Sequence, residues 1–179
     1  SILFRAMRDL WTDEEEAQPL LAGVCALARD SVLRASGSAI TRSSPGDALR
    51  STDLAEAVQE HFPESYSAST LAKIGRNTFS SWEQTGHLAA AGSATKTRTR
   101  AVCRPVNVAY ALLLGYLQGI RGQALFDTLW AKILDHPKSH LFDMAFTASQ
   151  RGLIEFRQAG GVVDVGFHEL LRPFEDELR

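Results

Sequence analysis

Residues 67–86 read SASTLAKIGRNTFSSWEQTG, and the reading of the whole chain turns on this stretch. Ser67 offers a side-chain oxygen to the unpaired amides of a helix start and Gly86 supplies a stop, which predicts a helix over about Ala68–Gln84. At about 100° per residue Leu71, Ile74, Thr78 and Trp82 fall on one side and form a candidate buried seam. Lys73, Arg76, Asn77, Ser80 and Gln84 fall on the opposite side. That second set contains no acid, and Glu83 lies at its edge. Arg can bond guanine in bidentate fashion, Asn and Gln can do so with adenine, and Lys and Ser can hold phosphate.

Downstream, a short apolar stretch after Gly86, a small turn at Gly92-Ser93 and the alternation Lys96-Thr97-Arg98-Thr99-Arg100 predict a hairpin. Its period of two puts Lys96, Arg98 and Arg100 on one face, with Arg104 just beyond, as in a wing lying along a phosphate backbone or entering a minor groove. Upstream, Ser51, Thr52 and Asp53 offer caps to a helix that runs to His61 and ends at Pro63. Ser36, Gly37, Ser38, Ser43, Ser44, Pro45 and Gly46 make residues 36–47 loop-like and mark a boundary. Ile2–Trp11 and Asp13–Ala28 read as a helical pair, the second opened by Asp13 with Glu16 three residues on. Pro105 suits the first position of a helix over Val106–Gln118, and helices over 124–134 and 139–151 follow. Gly160-Gly161 between Leu153–Arg157 and Val162–Val165 predicts a second hairpin. The chain thus divides into 1–47, 48–104 and 105–179 and is mainly α, with small hairpins.

At 179 residues with 45% hydrophobic and 22% charged content, the chain can bury a core, and collagen or extended disorder is disfavoured. Val106–Ile120, the most apolar run, contains Asn107 and Gln118 and is shorter than the roughly 20 residues of a membrane span. The chain opens on Ser1 with no basic segment leading into an apolar run, so no secretory signal is visible. Cys25 and Cys103 form no paired motif, which fits a reducing cytoplasm. The net charge of −2 hides a segregation. Residues 1–67 carry −5, residues 68–104 carry +5 with Glu83 as their one acid, and the remainder carries −2. Such a patch suits a polyanion; the bland alternative is a solvated basic face neutralised by the acidic first block.

No catalytic set assembles. Gly92–Thr97 ends like a phosphate loop, but Thr95 stands where glycine should precede Lys96, and a hairpin turn explains it better. His136 and His140 have a zinc-pair spacing, yet Pro137 lies between them and a third ligand is lacking. Neither cysteine has a CxxC partner, so Cys103 reads as a small buried residue, and His87 reads as a hydrogen-bonding turn residue. Trp11, Trp82 and Trp130 sit among apolar neighbours and are expected in cores. No cofactor and no metal are expected.

Helix, turn, helix and hairpin follow one another in 51–104 and, more loosely, in 106–167, and over this region the chain resembles winged helix-turn-helix proteins. The acidic helical start, Arg29-Asp30 before Leu33-Arg34, and Ser80–Leu88 before the basic hairpin are similar to the BrxA-like proteins of BREX phage-defence loci. That resemblance implies a non-catalytic, DNA-linked accessory factor in antiviral defence. The residues predict double-stranded DNA binding through Lys73, Arg76, Asn77, Ser80, Gln84, Lys96, Arg98, Arg100 and Arg104, with a salt slope on the order of −4 to −5 if about five cations meet phosphates. Ile2–Ala28 is left as a contact surface for a protein partner or a second copy. The rival expectation is a protein-interaction scaffold whose basic patch meets an acidic protein surface.

Overall fold

The computed structural model describes residues 1–178. In chain order the elements are α1 (Ile2–Leu10), α2 (Gln18–Arg29), α3 (Ser31–Arg42), β1 (Ala48–Leu49), α4 (Ser51–His61), α5 (Ala68–Gln84), β2 (Leu88–Ala90) and β3 (Lys96–Arg98). They continue with α6 (Pro105–Leu117), α7 (Leu129–Lys132), α8 (Lys138–Gln150), β4 (Glu155–Ala159), β5 (Val162–Gly166) and α9 (His168–Leu171). The protein is mainly helical, with two small antiparallel sheets. Its residues group into two compact units, 22–102 and 1–21 with 103–179. The sequence reading places breaks at 47 and 104; the second lies within two residues of the 102/103 boundary, and the first falls inside unit 22–102.

The difference at 47 has a local cause. Residues 36–42, loop-like in composition, belong to α3. Asp30 Oδ1 accepts from the amides of Val32 and Leu33 at 2.9 and 3.0 Å and starts this helix. Ser36 and Gly37 are buried within it, and Ser36 Oγ donates to Leu33 O at 2.6 Å. Small residues here serve close packing rather than a turn.

In unit 22–102 the sheet order is β1-β3-β2, so β3 is central. Leu88 faces Arg98 and Ala90 faces Lys96 across one ladder, while Ala48 faces Thr97 across the other. The hairpin forms where the alternation places it, and β1, two residues long, adds a third strand. α4 spans the expected residues, but its cap is Arg50, whose amide donates to Asp53 Oδ2 at 2.7 Å. α5 begins and ends where Ser67 and Gly86 place it, with Ser67 Oγ accepting from the Thr70 amide at 3.3 Å. Gly75 is buried on α5, and a Cβ there would stand 2.5 Å from the Ser51 carbonyl oxygen. The two helices therefore approach at a glycine, closer than any side chain would permit.

In the other unit Pro105 takes the first position of α6, which is buried from Val106 through Gly115. Tyr110 donates to Leu3 O at 2.9 Å, and Asn107 Nδ2 donates to Ala17 O at 3.0 Å. The expected helix over 124–134 is a 3-10 turn over Gly122–Asp127 followed by the short α7. Thr128 separates them, extended in backbone, with its hydroxyl accepting from the Ala131 amide at 3.2 Å. Asp13 does not cap a helix; a 3-10 turn over Glu15–Ala17 leads into α2 instead. α8 and the second hairpin form as expected, with Gly160 and Gly161 at positive φ of 57° and 79° in the turn.

Candidate nucleic-acid interface

α5 is held by its apolar side. Trp82 is 1% exposed, and its indole Nε1 donates to Ser36 Oγ at 2.8 Å. Thr78 and Phe79 are buried beside it, Leu71 and Ile74 are half-buried, and the His87 ring meets Trp82 edge-on at 5.0 Å. His87 is itself buried and bonded through Nδ1 to Thr85 Oγ1 at 2.6 Å. These contacts fix the rotation of the helix about its axis. The opposite side, Lys73, Arg76, Asn77, Ser80 and Gln84, is exposed at every position. Among the described residues Lys73 and Arg76 make no ion pair.

The hairpin places its cations differently from the expectation. Lys96 and Arg98 do share one side of β3, but that side is turned into the protein, toward Ile40 of α3 and Phe79 of α5. Arg98 is 2% exposed; its Nε donates to Ile40 O at 3.2 Å and a terminal nitrogen donates to Thr99 O. Lys96 lies back along α5, its Nζ 2.6 Å from Glu83 Oε2 and 4.4 Å from the centre of the Phe79 ring. Arg100 follows the end of the strand and is exposed. Arg104 belongs to the other unit, where it pairs with Glu16 of the acidic first block. The hydrogen bond that Arg104 donates to Glu16, with the charge of that carboxylate, raises the Arg104 pKa above its ordinary value.

Three cations, Lys73, Arg76 and Arg100, therefore remain outward in unit 22–102 out of the six counted between 68 and 104. Lys96 is 15% exposed and neutralised by the one acid of the segment. On another part of the same unit, a groove of about 480 Å³ between α3 and α4 is lined by Asp47, Asp53, Glu56 and Glu60, with Arg42 paired to Glu60. Phosphate is repelled there, so the field of the unit is polarised. Gly75 and the Ser36–Trp82 bond, which set the helix in place, were not among the expected residues. An isolated glycine inside an otherwise apolar-periodic helix was the available signal for the first.

No metal-competent group of three or more His, Cys, Asp or Glu occurs among the described residues. His136 and His140 approach each other, Nδ1 to Nδ1, at 3.3 Å. Burial pushes the Cys103 thiol up to about 12, Asp135 adds to the rise and Arg104 opposes it, so the sulfur is a neutral thiol at neutral pH. Among the described residues no helix is long and apolar enough to cross a membrane. Comparison with protein-family models, curated proteins and solved structures returns no match.

Proposed function

We propose that residues 22–102 form a winged helix-turn-helix unit that binds double-stranded DNA without catalysis. The observation that carries the reading is the division of α5. One side is locked by Trp82 and Gly75, and the side rich in Arg, Lys, Asn, Gln and Ser is exposed throughout. The order α3, β1, α4, α5, β2, β3, with the sheet ordered β1-β3-β2, supports the winged-helix reading, in which α5 is the recognition helix. In that role Arg76 and Asn77 reach toward base edges, while Lys73 and Arg100 meet phosphates. The hairpin positions the helix more than it grips the duplex, since Lys96 and Arg98 face inward. An accessory role in phage defence, implied by the resemblance to BrxA-like proteins, is the proposed setting.

The test is retention of a labelled duplex by the charge-reversed pair Lys73→Glu and Arg76→Glu. Loss of binding with an unchanged unfolding midpoint is expected. Full retention would move the basic face to an acidic protein surface, the scaffold reading. An RNA duplex run beside the DNA distinguishes the two nucleic acids.

A further inference from the structure

A partly open strand edge and an apolar groove meet in the unit formed by residues 1–21 and 103–179. Among the described residues β4 pairs with β5 alone. The hairpin closes at Ala159 opposite Val162 over two glycines, so the narrow hydrogen-bonded pairs fall at 159, 157 and 155. The amides and carbonyls of Phe156 and Gln158 then point away from β5. The Phe156 amide accordingly donates to Ser149 Oγ of α8 at 3.3 Å. Gln158 turns one donor and one acceptor outward.

Beside this edge lies a groove of about 450 Å³ lined by Phe142, Asp143 and Phe146 of α8 and Phe156, Arg157 and Gln158 of β4. Phe126, Phe142 and Phe156 pack against one another, with ring centres 4.6 to 5.9 Å apart. Phe146, one turn beyond Phe142, is 54% exposed. Asp143 on the helix wall and Arg157, whose side chain leaves β4 on the face opposite Phe156, are exposed, and neither is ion-paired among the described residues. A helix, an open strand edge and apolar space between them form the geometry that receives an added strand.

We propose that this groove binds an extended segment of a partner protein, which joins β4 as a third strand through Gln158. Side chains of an added strand alternate between faces. One apolar residue enters the groove against Phe142, Phe146 and Phe156. Its neighbour lies on the other face beside Arg157 and is acidic; the next returns toward Asp143 and is basic. The segment therefore carries apolar, acidic and basic residues in succession, read in either direction.

The test is selection of a random displayed peptide library on the intact chain, followed by affinity measurement of a synthesised winner. Enrichment of that pattern is expected. Gln158→Pro removes an amide that the β4–β5 ladder does not use, and proline is tolerated at a strand edge. It should weaken the peptide about tenfold or more, as loss of one or two hydrogen bonds implies. Phe146→Ser should weaken it comparably, and Arg157→Glu should shift winners from acidic to basic at the facing position. Circular dichroism confirms the fold of each variant, and the Arg157 exchange reads the site even if the proline variant fails to fold. Absence of an enriched pattern, or winners indifferent to all three substitutions, would overturn the proposal. So would a concentration-dependent dimer in sedimentation that Gln158→Pro abolishes, because it would assign the edge to a second copy.

Discussion

Arg98 and Arg100 stand two positions apart in one alternating run and do different things. Arg98 donates to backbone carbonyls inside the unit, so Arg98→Ala removes these charge-assisted bonds and empties a buried side-chain volume, and should cost about 2–4 kcal/mol, read as a lowered urea midpoint. Arg100→Glu should leave stability within about 0.5 kcal/mol of the parent and weaken duplex binding several-fold. Equal stability of the two variants would contradict this division. The alternation itself was legible in the sequence. Which side of the strand faced inward was not, because that depends on packing against Ile40 and Phe79, 58 and 17 residues away along the chain.

Cys103 is the other residue whose environment decides its chemistry. With the folded thiol raised from 9.0 to about 12, it should resist alkylation at pH 8 until the protein unfolds, which mass spectrometry after iodoacetamide treatment would show. The sign for stability follows from proton counting. Above pH 9 the unfolded chain releases the proton and the folded chain keeps it, so stability is full below pH 9 and declines as pH rises toward 12. A flat profile over that window would contradict the assignment.

At the scale of elements, α5 was the most legible part of the chain. Its cap, its stop and its two faces all lie in one stretch of local sequence, and residues 68–84 are helical as Ser67 and Gly86 dictate. The helix in 31–42 was the least legible. Ser and Gly favour loops when exposed, but there they are buried and let chains approach, a tertiary effect that composition does not carry. The 124–134 segment divides because Thr128 caps a new helix instead of continuing the old one. The contact of α4 with α5 can be tested at Gly75. A Cβ 2.5 Å from the Ser51 carbonyl requires the helices to part, so Gly75→Ala should cost about 1–3 kcal/mol despite alanine's better helix propensity. A stabilised Gly75→Ala variant would contradict the close approach.

For the molecule as a whole, charge segregation along the sequence counts more cations than the fold leaves outward. The net of +5 between 68 and 104 counts Lys96, Arg98 and Arg104, which the fold commits to Glu83, to backbone carbonyls and to Glu16. Linear counting sees the charges but not their partners, which lie 13, 58 and 88 residues away along the chain. Of the six cations of that segment three face outward from unit 22–102, and that lowers the number of phosphates the segment can neutralise. The most direct measurement is the dependence of duplex affinity on salt for the wild type and for Lys73→Glu with Arg76→Glu. Three phosphate contacts imply a slope of log K against log salt of about −3, falling to about −1 or to no binding in the variant. A folded wild-type protein that fails to bind duplex at low salt, or a slope that the two reversals leave unchanged, would contradict DNA binding through α5.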